Sequence, residues 1–153
     1  MNAKLEASVI FQPILNLIHE IGDHFFEVKE REENIVVYKS VKTSENKYSI
    51  SFVFWVKENR LSFFVFDFEI LDEYITSEKE AKVLSLNLRV LLSNKVERIS
   101  FCSKKGQLKK ETLKYTQVVE NVEKQISENV LSKFIFPWTK TETIVHVFDN
   151  WIL

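Results

Sequence analysis

Residues 49–70 read SISFVFWVKENRLSFFVFDFEI, and the fold depends on how this stretch is laid out. Before Asp67 interrupts, it carries eleven large apolar side chains: Ile50, Phe52, Val53, Phe54, Trp55, Val56, Leu61, Phe63, Phe64, Val65 and Phe66. A strand with one wet face alternates apolar and polar residues, and this one scarcely does. The segment KENR, with Asn59 tolerant of positive φ, divides it into the arms 47–56 and 61–71 of a β-hairpin. Loop length then sets the faces. A two-residue loop at Glu58 and Asn59 puts Phe52, Phe54 and Val56 with Leu61, Phe63 and Val65, and puts Val53 and Trp55 with Phe64, Phe66 and Phe68. A three-residue loop swaps the partners. In either register both faces hold at least four large apolar groups, so the hairpin belongs in the middle of a sheet with cover on both sides.

The composition agrees that much needs covering. The chain of 153 residues is 45% hydrophobic and 28% charged, which is globular rather than disordered, and long enough for a core. It has thirteen phenylalanines against two glycines. AT-rich codon usage accounts for such residues, but each aromatic still brings on the order of 150–250 Å² that must be buried. A net charge of −1 removes the simplest nucleic-acid reading, which needs a strongly basic domain. The lone cysteine, Cys102, forms no intrachain disulfide and fits a reducing compartment. The N-terminal stretch is interrupted by Lys4, Glu6 and Gln12, and no apolar run is long enough for a membrane span. A soluble, cytoplasmic protein with no membrane partner is expected.

Outward from the hairpin, Leu5, Val9, Ile14, Leu15, Ile18 and Ile21 recur at helical spacing, so a helix is expected over 4–21, stopping at Gly22. Pro13 either bends that helix or starts its stable part. HFFEVKE (24–30) and NIVVYKSV (34–41) read as strands joined by the turn REEN. Ser77 and Glu80 form a capping box for a helix over 77–93. Its two apolar stripes, Ala81, Leu84, Leu88, Leu91 and Val83, Leu86, Val90, imply burial on more than one side. VERISFCS (96–103) reads as a strand, with Gly106 suited to a hairpin turn. Residues 107–116 read as the returning strand, although Leu108, Thr112, Tyr115, Val119, Val122 and Ile126 also fit a helix. Ser127 and Thr141 are placed to cap two last helices, through Ile135 and over TIVHVFDNWIL, separated by Pro137 and Trp138. The expected architecture is a single α+β domain over 1–153. It has one antiparallel sheet of about six strands in the order α-β-β-β-β-α-β-β-α(-α).

Motifs for chemistry are sparse. His19 and His24 straddle the end of the first helix and do not by themselves complete a metal site, and His146 lies between valines. Cys102 has no histidine near it in sequence, and neither glycine belongs to a phosphate loop. Asp67, Glu69, Asp72 and Glu73 are read as solubilising the strand end. No catalytic, cofactor-binding or metal-binding residue is assigned, no cofactor is expected, and the chain is read as no enzyme. Charge is uneven: residues 95–114 carry seven basic residues against two acidic, and 20–33 six acidic against two basic. Lys104, Lys105, Lys109 and Lys110 therefore form a candidate basic patch. Single-stranded nucleic-acid binding is the alternative that would use it. A solvated hairpin that repels edge pairing is preferred.

The stretch NRLSFFVFDFEI, the helix with LSLNLRVLL and Asn87 at its middle, and ERISFCSKKGQLKKETLKYT with Phe101 and Gly106 follow in order. Over about residues 47–135 this pattern resembles the YbjN-like family and the type III secretion chaperones that share its fold. The resemblance implies an α+β protein without a catalytic motif, and for the secretion members dimerisation and the holding of partner segments on apolar surfaces. The expected function is protein binding through the aromatic sheet face, with Phe52, Phe54, Trp55, Phe63, Phe64 and Phe66 as interface candidates. The partner is another protein chain, a homodimer mate or a specific partner. An immunity or antitoxin protein that blocks a toxin is the alternative in the same class. The intramolecular alternative covers the second face with the C-terminal residues Trp138, Phe148 and Trp151.

Overall fold

The computed structural model describes residues 1–42, 47–104, 106–132 and 141–148. The arms of the decisive hairpin are β3 (Lys47–Trp55) and β4 (Arg60–Val65). Trp55 pairs with Arg60, Phe54 with Leu61, Phe52 with Phe63 and Ile50 with Val65. Val56–Glu58 winds into a 3-10 turn and Asn59 takes φ 51, so the loop is four residues long. Relative to a two-residue loop the register slides by two, and an even slide preserves the faces. Phe52 and Phe54 therefore share a face with Leu61, Phe63 and Val65, each 0% exposed. The alternation is present after all, because Ser49, Ser51, Val53 and Trp55 point the other way, with Arg60, Ser62 and Phe64 beside them.

β1 (Glu27–Glu30), β2 (Ile35–Lys42), β3, β4 and β5 (Phe68–Tyr74) form a five-stranded antiparallel meander with β3 central. The arm expected as one strand over 61–71 is two. Phe66 and Asp67 make a two-residue turn, with Phe66 at φ 55 and its N–H donating to Ser49 O at 2.7 Å. A bulge then leaves Ile70 between Glu69, opposite Phe64, and Leu71, opposite Phe63.

Helices cover the inner face. α1 (Ala3–Glu6) and a 3-10 turn, Val9–Phe11, lead into α2 (Gln12–Gly22), whose first turn contains Pro13. The stable helix thus starts at the proline, which lacks only an N–H that a first turn leaves unbonded. Gly22 stops it at φ 105, and a Cβ there would meet the Phe25 ring at 2.9 Å. Ile14, Leu15, Leu17 and Ile18 are fully buried. The Phe11 ring meets Phe54 edge-on at 5.1 Å, Phe26 lies 6.2 Å from Phe52, and Phe52 lies 4.9 Å from Phe63.

α3 (Glu78–Ser93) begins with a box close to the expected one. Ser77 Oγ accepts from the Glu80 N–H at 3.2 Å, while the Glu80 carboxylate accepts from both N–H and Oγ1 of Thr76 at 2.8 Å. Those bonds hold the Glu80 carboxyl below the ordinary carboxylate range. Ser85 Oγ donates to Pro13 O at 3.0 Å, tying α3 to the start of α2. Ala81, Leu84, Leu88, Leu91 and Leu92 are buried, but Val83 and Leu86 are 52% and 60% exposed. The second stripe is thus not buried as expected.

β6 (Val96–Ser103), β7 (Leu108–Val119), β8 (Val122–Ser132) and β9 (Thr141–Phe148) form a second antiparallel sheet in the order β8-β7-β6-β9. Gly106 supplies φ 79 to the β6–β7 turn, as expected. The α+β class with antiparallel sheets holds, but among the described residues nine strands in sheets of five and four replace one sheet of about six. Both late helices are corrected to strands, and of the segments proposed for them, residues 133–135 and 149–153 lie outside the described residues, as do Pro137 and Trp138. The helix expected from Ser127 is β8. Glu120 and Asn121, at φ 52 and 63, turn the chain through a type I′ hairpin that no glycine announces. The helix expected from Thr141 is β9. Thr141, Thr143, Ile144, Val145 and Val147 are β-branched, lose side-chain freedom in a helix and fit a pleated sheet. Chain contacts group the protein into two compact units, Met1–Leu86 and Asn87–Ile152, and the division falls inside α3 rather than at a linker.

Candidate functional site

The outer face of the five-stranded sheet answers the question of the second cover. Strand register arranges it in rows. Trp55, Arg60 and Tyr74 are successive neighbours across β3, β4 and β5; Val36, Val53, Ser62 and Asp72 form the next row; Tyr38, Ser51, Phe64 and Glu69 form the third.

The first two rows are joined in a circuit. The Trp55 indole N–H donates to Ser62 Oγ at 3.4 Å, and the Ser62 hydroxyl donates to Asp72 Oδ1 at 3.0 Å. Asp72 Oδ2 lies 3.6 Å from Arg60 Nη1, and Arg60 Nε lies 3.1 Å from Glu58 Oε2. The guanidinium stacks 4.3 Å from the Trp55 ring centre and 5.7 Å from that of Tyr74, which closes the circuit. Ser62 is 5% exposed, and its hydroxyl both accepts and donates, so its burial carries no orphaned polar atom. In the third row Tyr38 donates to Glu27 Oε2 at 2.5 Å, and that bond raises the Tyr38 pKa. Trp55, Phe64 and Tyr38 are half-buried, and Tyr74 is 64% exposed.

The six aromatic candidates fall on different faces. Phe52, Phe54 and Phe63 are fully buried under the helices and Phe66 is 5% exposed, so these four are core residues and not interface residues. Trp55 and Phe64 lie on the outer face. Sequence reasoning missed Arg60, Tyr74 and Tyr38. The available signal was register, since any loop that closes next to Trp55 brings Arg60 opposite it.

The basic residues of 95–114 are partly spent on neighbours. Arg98 Nε and Nη2 lie 2.7 and 2.5 Å from Oε1 of the buried Glu111, and Lys95 lies 2.7 Å from Glu97. Lys110 sits 5.5 Å from the Phe101 ring centre, so a nucleobase stacking on that ring would displace an ammonium group. Lys104 is exposed in the β6–β7 turn and Lys109 belongs to β7; Lys105 lies outside the described residues.

Other candidates stay apart. His19 Nδ1 lies 2.9 Å from Asp23 Oδ2, and His24 packs 3.9 Å from the Phe25 ring, which are roles at a helix end. Among the described residues no cluster of three or more histidine, cysteine or acidic side chains could hold a metal. Cys102 is half-buried and stands across from Leu108 and Glu142, so no histidine that could serve as its base is a strand partner. A hollow of about 150 Å³ is lined by Lys4, Glu30, Asn34, Val56 and Lys57 among others, and neither Cys102 nor Asp67, Glu69, Asp72 or Glu73 borders it.

Protein-family models, curated proteins and solved structures provide no match to the chain. The element order behind the YbjN-like resemblance also differs from the observed one, since five strands precede α3 and a strand, β8, stands where a helix was expected. No helix among the described residues is long and apolar enough to cross a membrane.

Proposed function

We propose that the chain is a non-enzymatic protein-binding module whose outer sheet face, centred on Trp55, Arg60 and Tyr74, receives another protein chain. The carrying observation is the Trp55–Ser62–Asp72–Arg60 circuit, which holds two rings and a guanidinium in fixed positions at the surface. Trp, Tyr and Arg are the residue types that dominate binding energy at protein interfaces, and groups already held in place lose little entropy on binding. A broad sheet surface suits a protein better than a small ligand, which takes a concave pocket. Glu27, Glu58, Glu69 and Asp72 surround the aromatic groups, so a cationic partner surface gains in association rate.

The test is capture on the immobilised full chain, followed by calorimetric titration with the purified captured protein. Trp55→Ala and Arg60→Ala, each checked for an unchanged circular dichroism spectrum, are expected to weaken binding roughly 30-fold or more, the size of a hot-spot loss. Affinity unchanged in both variants, or no captured protein, overturns the reading. A single tight partner favours the immunity or antitoxin form of this function, and several unrelated partners favour the chaperone-like form.

A further inference from the structure

We infer that β9 is a self-pairing edge, through which two copies of the chain join their four-stranded sheets into one eight-stranded sheet. β9 pairs with β6 over its whole length, Thr141 with Ser103 through Phe148 with Val96, and no strand lies along its other side among the described residues. A free edge is a template for another strand unless something blunts it: charge, a bulge, proline or shortness.

The other three edges are blunted. β1 is four residues long, and three of them are charged. β5 carries three acids and a bulge. β8 carries three charged residues, and its pairing is broken by a bulge. β9 has one charged residue and none of the other devices. It contains no lysine, arginine, proline or glycine, its register with β6 is unbroken, and Glu142 is its one acid. Ile144, Val145 and Val147 are 44%, 50% and 44% exposed, on both faces of the strand.

The occupant is a second copy because the strand is complementary to itself. A two-fold axis through an antiparallel edge runs perpendicular to the sheet and puts one residue opposite its own counterpart. Near-full overlap puts that residue at Ile144 or Val145. Glu142 then stands across from position 146 or 148 of the second copy, never from another Glu142. Pairing β9 with β1, β5 or β8 of another copy would instead set β-branched side chains against charged ones, so the closed dimer is favoured over an open chain. An eight-residue edge spans about 27 Å and buries less than a standard interface, which gives a dissociation constant of micromolar order.

The test is sedimentation equilibrium of the full chain from about 1 to 100 µM, a range that brackets such a constant. The expected mass at the upper end is twice 18.1 kDa, falling toward one chain on dilution. Val145→Lys brings two ammonium groups opposite each other or onto a cross-strand diagonal, and is expected to raise the dissociation constant tenfold or more without altering the circular dichroism spectrum. If that variant does not fold, amide exchange of the wild type reads the same seam, since β9 amides should gain protection with concentration. A monomer throughout, a dimer indifferent to Val145→Lys, or β9 exchange independent of concentration overturns the inference. Trp55→Ala must leave the dimer intact; its loss there would move the seam to the aromatic face.

Discussion

Phe66 holds a large ring and an unfavourable backbone at one position, and substitution separates the two. It stands at φ 55 in the β4–β5 turn and is 5% exposed. The left-handed backbone costs an L-residue roughly 1–2 kcal/mol, whereas a buried phenylalanine cut to alanine loses about 3–5 kcal/mol. The ring outweighs the strain, which is why a phenylalanine can occupy a corner where glycine is usual. Phe66→Ala removes the ring and keeps the strain, so the full loss of about 3–5 kcal/mol is expected. Phe66→Gly removes both. Relief of roughly 1–2 kcal/mol is offset by glycine's extra entropy of about 0.5–1 kcal/mol, so glycine should be better than alanine by about 0.5–1 kcal/mol. At an ordinary strand position the order is reversed. Urea unfolding followed by tryptophan fluorescence resolves the pair, because the expected difference moves the midpoint by roughly 0.3–0.5 M. If Phe66→Gly is less stable than Phe66→Ala, the corner is not strained and the reasoning is wrong.

The type I′ turn at Glu120 and Asn121 gives an outcome of opposite sign. Asn121→Gly, at φ 63, is expected to raise stability by up to about 1 kcal/mol in a thermal melt, and a lower melting temperature would count against that turn. Tyr115 reports on its sheet through pH. Burial first, and then the nearby Glu128 carboxylate, push its phenol up to about 12 from the ordinary 10. A raised pKa means that the folded state holds the proton more tightly. This contribution to stability is complete below pH 10 and is lost as pH rises through 12. Ultraviolet titration of tyrosinate should show a step near 12 that Tyr115→Phe deletes. A wild-type titration complete by pH 11 would contradict the burial of this hydroxyl.

The first half of the fold was legible because its signals are local and mutually consistent. Pro13 and Gly22 bracket α2, Ser77 and Glu80 open α3, and hairpin parity correctly divided Phe52 and Phe54 from Trp55 even though the loop is longer than either length considered. Beyond the β6–β7 hairpin, which Gly106 marked correctly, the second half was not. Its turn has Glu-Asn where the recognisable signal is Asn-Gly, and its apolar residues recur at a spacing that fits helix and strand alike. β-branched content was the better guide and was outvoted by spacing. The candidate site was legible only in part. Trp55 and Phe64 could be named, but Arg60, Ser62 and Asp72 acquire their meaning from cross-strand register, which depends on a loop whose length composition does not fix.

That register also changes what the opening stretch means. Counted as a list, its aromatics seem to demand cover on two sides. Placed on the sheet, they divide into a fully buried set under the helices and a smaller outer set interleaved with Ser49, Ser51, Ser62 and Arg60. The indole N–H, the serine hydroxyl and the aspartate satisfy one another, so these three groups of the outer face leave no polar atom orphaned. Its rings are half covered by neighbours on the same face, notably the Arg60 guanidinium over Trp55. A surface of this kind avoids indiscriminate apolar association, because a partner must match the stacked guanidinium and the surrounding acids as well as the rings. β9 offers less discrimination, as apart from Glu142 its exposed groups are backbone and β-branched side chains, so what it can select is mainly a strand like itself. The two surfaces therefore call for different tests: side-chain deletion at Trp55 and Arg60 for recognition of a second protein, and charge insertion at Val145 for association between copies.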